Sequence, residues 1–68
     1  MNANTSVVYR GTKTFVIVNN PYIMTVLEQT PVGKTIKRIY YSPNDISPED
    51  KRDFLLARIV NKIRQRTL

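Results

Sequence analysis

The last third of the chain constrains the fold most, because it predicts an amphipathic α-helix over about 48–66. Ser47 is a favourable N-cap, Pro48 fits the first helical position and Asp50 occupies the capping-box position. Three acidic residues near its start (Glu49, Asp50 and Asp53) and three basic residues near its end (Lys62, Arg64 and Arg66) complement the helix dipole. Phe54 lies off the apolar stripe, so it either packs on the preceding loop or is an exposed contact residue. The apolar stripe, about 140° wide and expected to pack on the core, contains Leu55, Leu56, Ile59, Val60 and Ile63.

Three segments before the helix have the composition of β-strands: residues 6–10, 13–18 and 34–41. Gly11 and Thr12 separate the first two and suit a two-residue type II′ hairpin turn, which places Arg10 opposite Lys13. The third segment carries lysine or arginine on both of its faces. A central strand would bury those charges, so this pattern predicts an edge strand.

The segment 22–29 is compatible with two structures. Asn20 as N-cap followed by Pro21 favours a short helix that buries every third or fourth residue. Its β-branched and aromatic residues favour a strand, and a strand also continues a regular meander. We therefore predict a strand here and keep the helix as the alternative.

These elements predict an α+β fold: a three- or four-stranded antiparallel meander with the C-terminal helix packed on one face. Residues 1–5 are predicted to be a flexible N-terminus and residues 6–68 a single small domain. The strand at 13–18 is apolar on both faces, and one helix covers only one face of a sheet. We expect a second subunit or a partner protein on the other face. Shielding by the N-terminal arm or loops, or a helix at 21–29, is the alternative.

The amino-acid composition limits which partners, metal sites and catalytic groups the chain can have. The formal net charge is +6 and the sequence pI is about 10.1, which favours polyanionic partners. The chain has no cysteine and no histidine, so it lacks disulfides and the usual zinc ligands. Three of its five acidic residues lie in the first helical turns, where capping explains them. We predict a non-catalytic protein that has no cofactor and no metal.

The sequence predicts a small basic binding protein, and nucleic acid is the favoured partner. It would act as an accessory or regulatory protein, with lysine and arginine contacting phosphates and a tyrosine stacking on bases. The alternative is an adaptor or inhibitor that docks its uncovered sheet face or an edge strand on a larger acidic protein. The predicted binding residues are Arg10, Lys13, Lys34, Lys37, Arg38, Tyr40, Tyr41, Arg58 and Lys62.

The apolar runs and the length of the chain bear on its cellular location and assembly. The first residues are polar, and the apolar runs are too short for a signal peptide or a membrane span. These features predict a cytoplasmic protein that does not enter membranes. Because the chain is short and has no disulfides, we expect it to form a homo-oligomer or a complex.

Overall fold

A computed structural model describes residues 5–66, with side chains described as far as Ile63. It contains one four-stranded antiparallel sheet and one C-terminal helix, which confirms the predicted α+β class. The segment 22–29 is a strand. Of the segment 1–5 predicted to be flexible, residues 1–4 lie outside the described residues, and Thr5 belongs to the first strand. In chain order the elements are β1 (Thr5–Arg10), β2 (Lys13–Asn19), β3 (Tyr22–Gln29), β4 (Thr35–Tyr40), a 3-10 turn (Pro43–Asp45) and α1 (Pro48–Arg66).

The sheet is a simple meander in the order β1-β2-β3-β4, so β1 and β4 are its edges. The hairpin between β1 and β2 has the predicted register, with Arg10 opposite Lys13. Gly11 has a φ of +56°, and no residue other than glycine has positive φ among those described. A type II′ turn needs positive φ only at its first central position, so the backbone agrees with that turn type.

The core lies between the sheet and α1. Phe15, Met24 and Val26 are fully buried on the sheet face that α1 covers. From the helix, Ala57 is fully buried, and Phe54 packs its ring on Phe15 with ring centroids 5.6 Å apart. This contact resolves the two options for Phe54, since it packs on the core rather than on the loop or in solvent.

The start of α1 has the predicted N-cap. The Oγ of Ser47 accepts a hydrogen bond from the backbone N–H of Asp50 at 3.2 Å, and the Ser47 carbonyl accepts from Lys51 at 2.8 Å. Ser47 is therefore the N-cap. The carboxylate of Asp50 was expected to complete a capping box, but it points to the sheet and binds Lys13 and Arg38 there.

The prediction that the apolar stripe of α1 faces the core is wrong. Leu55 and Ile59 are 47% and 55% exposed, and Val60 and Ile63 are exposed as well. The face that packs on the sheet instead carries Asp50, Phe54 and Ala57, which follow one another at helical spacing. Hydrophobic periodicity identifies the apolar side of a helix. It does not show which side packs on the sheet. Here the acidic side does so, because the buried cations of the sheet need carboxylates as partners.

Within residues 5–66 no helix or strand lies over the second face of the sheet, because α1 packs on the other face. Whether a partner covers it stays a prediction. We call this surface the open face. Neighbouring residues across the strands form two of its rows, Val7–Val16–Thr25–Ile39 and Tyr9–Thr14–Leu27–Lys37.

Candidate nucleic-acid interface

A buried carboxylate organises the charged groups of the molecule. Asp50 is only 1% exposed and accepts hydrogen bonds from three side chains. Lys13 Nζ donates at 2.9 Å, Arg38 donates through Nε and Nη2 at 2.8 and 2.9 Å, and the Tyr40 hydroxyl donates at 2.7 Å. Every buried side-chain nitrogen or oxygen in the described residues has a partner. The cluster is therefore fully satisfied, as buried polar groups need to be.

These contacts hold the groups in their charged forms. Burial acts to raise the pKa of Asp50, but the hydrogen bonds from Arg38, Tyr40 and Lys13 outweigh it and hold that pKa well below its usual range. Burial acts to lower the pKa of Lys13, yet the hydrogen bonds to Asp53 and Asp50 leave it raised. Hydrogen bonding to Asp50 is likewise the main reason why the pKa of Arg38 is raised.

The ionic network extends from this centre to both ends of the contact between helix and sheet. Asp53 accepts from Lys13 at 2.6 Å, and Glu28 accepts from Arg38 at 2.9 Å. Longer ion pairs of 3.8 to 3.9 Å join Arg10 and Arg52 to Asp53, and Lys13 to Glu49. We call this set the ionic network; its members are Arg10, Lys13, Arg38, Arg52, Glu28, Glu49, Asp50 and Asp53.

The ionic network uses nearly all of the acidic residues. Four carboxylates in it balance four cations, and the sequence contains only five acidic residues. Outside it the sequence has seven lysine and arginine residues and one acidic residue, Asp45. The whole net charge of +6 thus comes from residues outside the ionic network. They are Lys34, Lys37, Lys51, Arg58, Lys62, Arg64 and Arg66.

The structure divides the predicted binding residues into two groups. Lys13, Arg38 and Tyr40 lie under α1 with their polar groups bound to Asp50, and Arg10 lies at the edge of the same network. They contribute to the packing of helix on sheet and are already paired. The exposed group consists of Lys34, Lys37, Tyr41, Arg58 and Lys62.

The exposed group occupies two surfaces. Lys37 lies on the open face, Lys34 precedes the same strand and Tyr41 follows it. Arg58 and Lys62 line a groove of about 620 Å³ between α1 and the ends of β1 and β2. The guanidinium of Arg58 lies over the ring of Phe54, 5.7 Å from its centroid, in cation–π geometry.

Sequence reasoning did not include Tyr9 among the binding residues. Its side chain is 61% exposed, and it lies in the same row of the open face as Lys37. The alternation of side chains along β1 indicates where Tyr9 points. Val8 enters the core, so its neighbours in the strand must point to the opposite face of the sheet. A large aromatic residue on that outward side is the feature that could have identified it.

No protein-family model, curated protein or solved structure matches this chain. In the described part of the chain, no helix has both the length and the apolar character that crossing a bilayer requires.

Proposed function

We propose that this protein binds single-stranded nucleic acid on the open face of its sheet, as a non-catalytic accessory or regulatory protein. The observation that carries the proposal is the separation of charge. The ionic network pairs four cations with four of the five carboxylates, which leaves Asp45 as the one acidic residue to balance the seven other lysine and arginine residues. A surface with surplus positive charge attracts the phosphate backbone irrespective of base sequence.

Of these seven cations, Lys37 lies on the open face and Lys34 directly before the same strand, whereas the other five lie on α1. The open face also carries aromatic groups. Tyr9 on edge strand β1 and Lys37 on edge strand β4 end the same row, about 14 Å apart for three strand spacings. Tyr41, 68% exposed, follows β4 directly. Bases of a single strand stack on exposed aromatic rings, and lysines along the path bind the phosphates. The length of the row matches two or three nucleotides. In double-stranded nucleic acid the bases stack on one another and are not available to the tyrosine rings.

Fluorescence anisotropy with labelled 12-nucleotide thymidine and uridine oligomers tests the proposal. We expect binding at 50 mM salt that weakens steeply at 200 mM, with each contacted phosphate adding about 0.7 to the logarithmic salt slope. Tyr9→Ala should weaken binding by roughly 5- to 100-fold because it removes a stacking ring, whereas Tyr9→Phe should bind nearly as well as wild type.

Matched lysine variants locate the interface. Lys37→Gln should reduce the salt slope by about 0.7, since it removes one phosphate contact. Lys51→Gln makes the same charge change on α1, away from the open face, and should leave the slope nearly unchanged. Equal effects of the two variants would mean that only net charge matters. An absence of binding at 50 mM salt would contradict the proposal itself.

The second candidate function is docking of the open face on a larger protein as an adaptor or inhibitor. The row Val7–Val16–Thr25–Ile39 supports it, because three of its four members are apolar and the two at its ends, Val7 and Ile39, are each about 40% exposed. Such a surface buries apolar area against a partner, and the positive charge would then steer an acidic protein. Salt-independent partner binding that Ile39→Lys abolishes would favour this function.

A further inference from the structure

The groove beside α1 belongs neither to the ionic network nor to the open face. Its volume of about 620 Å³ lies within the range of roughly 300–1,000 Å³ that is typical of small-molecule sites. The buried side chains of Val8 and Ile17 form its floor, and the half-buried rings of Tyr22 and Phe54 line it as well. The base of the groove is therefore apolar, and part of its lining is aromatic.

Two residues of α1, one turn apart, leave this space open. Ala57 is fully buried against the sheet, and Asn61 follows it on the same side of the helix and is half-buried. The side chain of Ala57 is too small to fill the space, and the amide of Asn61 is polar. A long apolar side chain at either position would pack on Val8 and Ile17 and would close the groove.

The groove is positively charged on its helix side. Arg58 and Lys62 line it and are exposed, and their spacing of four positions places them on the same side of α1. Among the described residues, none that lines the groove beside them is acidic, and no ion pair includes either cation. The contact with Phe54 holds the Arg58 guanidinium next to the aromatic lining. Two positive charges without an acidic partner in this part of the chain thus adjoin an apolar space.

We propose that the groove binds a small aromatic phosphate monoester, with its ring on the apolar floor and its phosphate on Arg58 and Lys62. Such a phosphate carries a charge of about −1.5 to −2 at pH 7, which matches the two cations. A guanidinium binds phosphate through two parallel hydrogen bonds. Aromatic rings pack favourably on one another, so Tyr22 and Phe54 favour a ring over an alkyl chain. The side-chain amide of Asn61 supplies a further hydrogen-bond donor.

NMR chemical-shift mapping with naphthyl phosphate as the probe tests the proposal. We expect the backbone amide signals of Ile17, Arg58 and Asn61 to shift, with a dissociation constant on the order of 0.1–1 mM because the groove is open to solvent. Naphthol lacks the phosphate and inorganic phosphate lacks the ring, so each should bind weaker by roughly tenfold or more. Octyl phosphate should also bind more weakly than naphthyl phosphate.

Three outcomes of this titration would overturn the proposal. Inorganic phosphate that binds as well as naphthyl phosphate would mean that the cations hold any anion. Octyl phosphate of equal affinity would mean that the groove does not select an aromatic ring. Shifts confined to the open face, at Thr25 and Lys37 for example, would place the ligand on the other side of the sheet.

Matched variants of α1 locate the phosphate. Arg58→Gln should weaken the binding of naphthyl phosphate by roughly tenfold or more, because it removes a charge-assisted hydrogen bond. Lys51→Gln makes the same charge change on α1 outside the groove and should leave binding nearly unchanged. Equal losses for the two variants would assign binding to net charge alone and would contradict this site.

Substitutions of Asn61 test the groove without removing a cation. Asn61→Glu places a carboxylate beside the phosphate and should abolish binding, whereas the uncharged Asn61→Gln, of the same length as the glutamate variant, should retain most of it. Equal binding by both variants would count against the groove, and the amide spectra show whether each variant is folded. Tyr9→Ala, on the open face, should bind naphthyl phosphate as wild type does, so failure here is distinct from failure of nucleic-acid binding.

Discussion

Arg38 binds both carboxylate oxygens of Asp50, with Nε 2.8 Å from Oδ2 and Nη2 2.9 Å from Oδ1. This two-point contact joins edge strand β4 to the first turn of α1, and it fixes the guanidinium plane as well as its distance. Lys13 and Tyr40 complete the shell around the same carboxylate. The buried charge is thus matched by donors on two strands, and the helix is held on the sheet by polar contacts as much as by its apolar ones.

Asp50→Asn should destabilise the protein by about 3–5 kcal/mol, because it leaves Lys13 and Arg38 without their shared anion. A core of this size supplies only about 3–5 kcal/mol, so we expect a largely unfolded variant. Urea titration followed by circular dichroism measures the loss. Asp45→Asn removes a charge from an exposed turn and should change the free energy of unfolding by less than about 0.5 kcal/mol. A loss below 1 kcal/mol for Asp50→Asn would contradict the central role of this carboxylate.

Acid should destabilise the fold. Hydrogen bonds from their cationic partners keep the pKa of Asp50 and of Asp53 below their usual value of 3.8. A carboxylate with a lowered pKa in the folded state contributes stability above its unfolded pKa, and this contribution is lost as the pH falls through the folded value. The urea midpoint should therefore be nearly constant from pH 7 to 5 and fall below about pH 4. A midpoint that rises on acidification would be inconsistent with the ionic network.

Adjacent residues of α1 should respond very differently to truncation. Phe54→Ala removes a ring that packs on Phe15 and should cost about 3 kcal/mol of stability. Leu55→Ala removes a side chain that is 47% exposed and should cost less than about 1 kcal/mol in dilute solution. Thermal unfolding followed by circular dichroism makes the comparison. The reverse order would mean that the side of α1 that carries Leu55 faces the sheet after all.

The N-cap of α1 should contribute measurably. Ser47→Ala removes the acceptor for the Asp50 N–H and should cost about 1 kcal/mol. Ser42 makes the corresponding contact, to the N–H of Asn44, at a single 3-10 turn. Ser42→Ala should cost distinctly less, since no helix depends on it. Equal losses in the free energy of unfolding for the two variants would show that the cap at Ser47 adds nothing specific.

The local elements followed from the sequence because their causes are local. Gly11 allows the positive φ of a tight hairpin turn, and the unbroken apolar run from Phe15 to Val18 reveals a strand that is apolar on both sides. Ser47 and Pro48 mark the start of α1, while basic residues on both faces of β4 identify an edge. These signals depend on dihedral angles and nearest neighbours, so the strands, the hairpin register and the helix could be predicted without tertiary contacts.

The candidate site was only partly predictable. The exposed cations Lys34 and Lys37 were identified from β4 itself, but Lys13 and Arg38 had the same appearance in sequence. Lys13 and Arg38 differ from Lys34 and Lys37 because the fold brings them next to Asp50 or Asp53. These two carboxylates lie 12 to 40 positions further along the chain. Charge counts reveal how many cations a chain has, and only folding decides which of them are paired.

By itself, the amino-acid sequence determined that this protein has a basic surface, a meander of strands and an amphipathic helix at its C-terminal end. Only the tertiary structure decided which side of that helix meets the sheet. The physical reason is that Lys13 and Arg38 need carboxylates when they are buried, and α1 carries those carboxylates on the side away from Leu55 and Ile59. Pairing these charges left Leu55 and Ile59 on the side of α1 that is exposed to solvent.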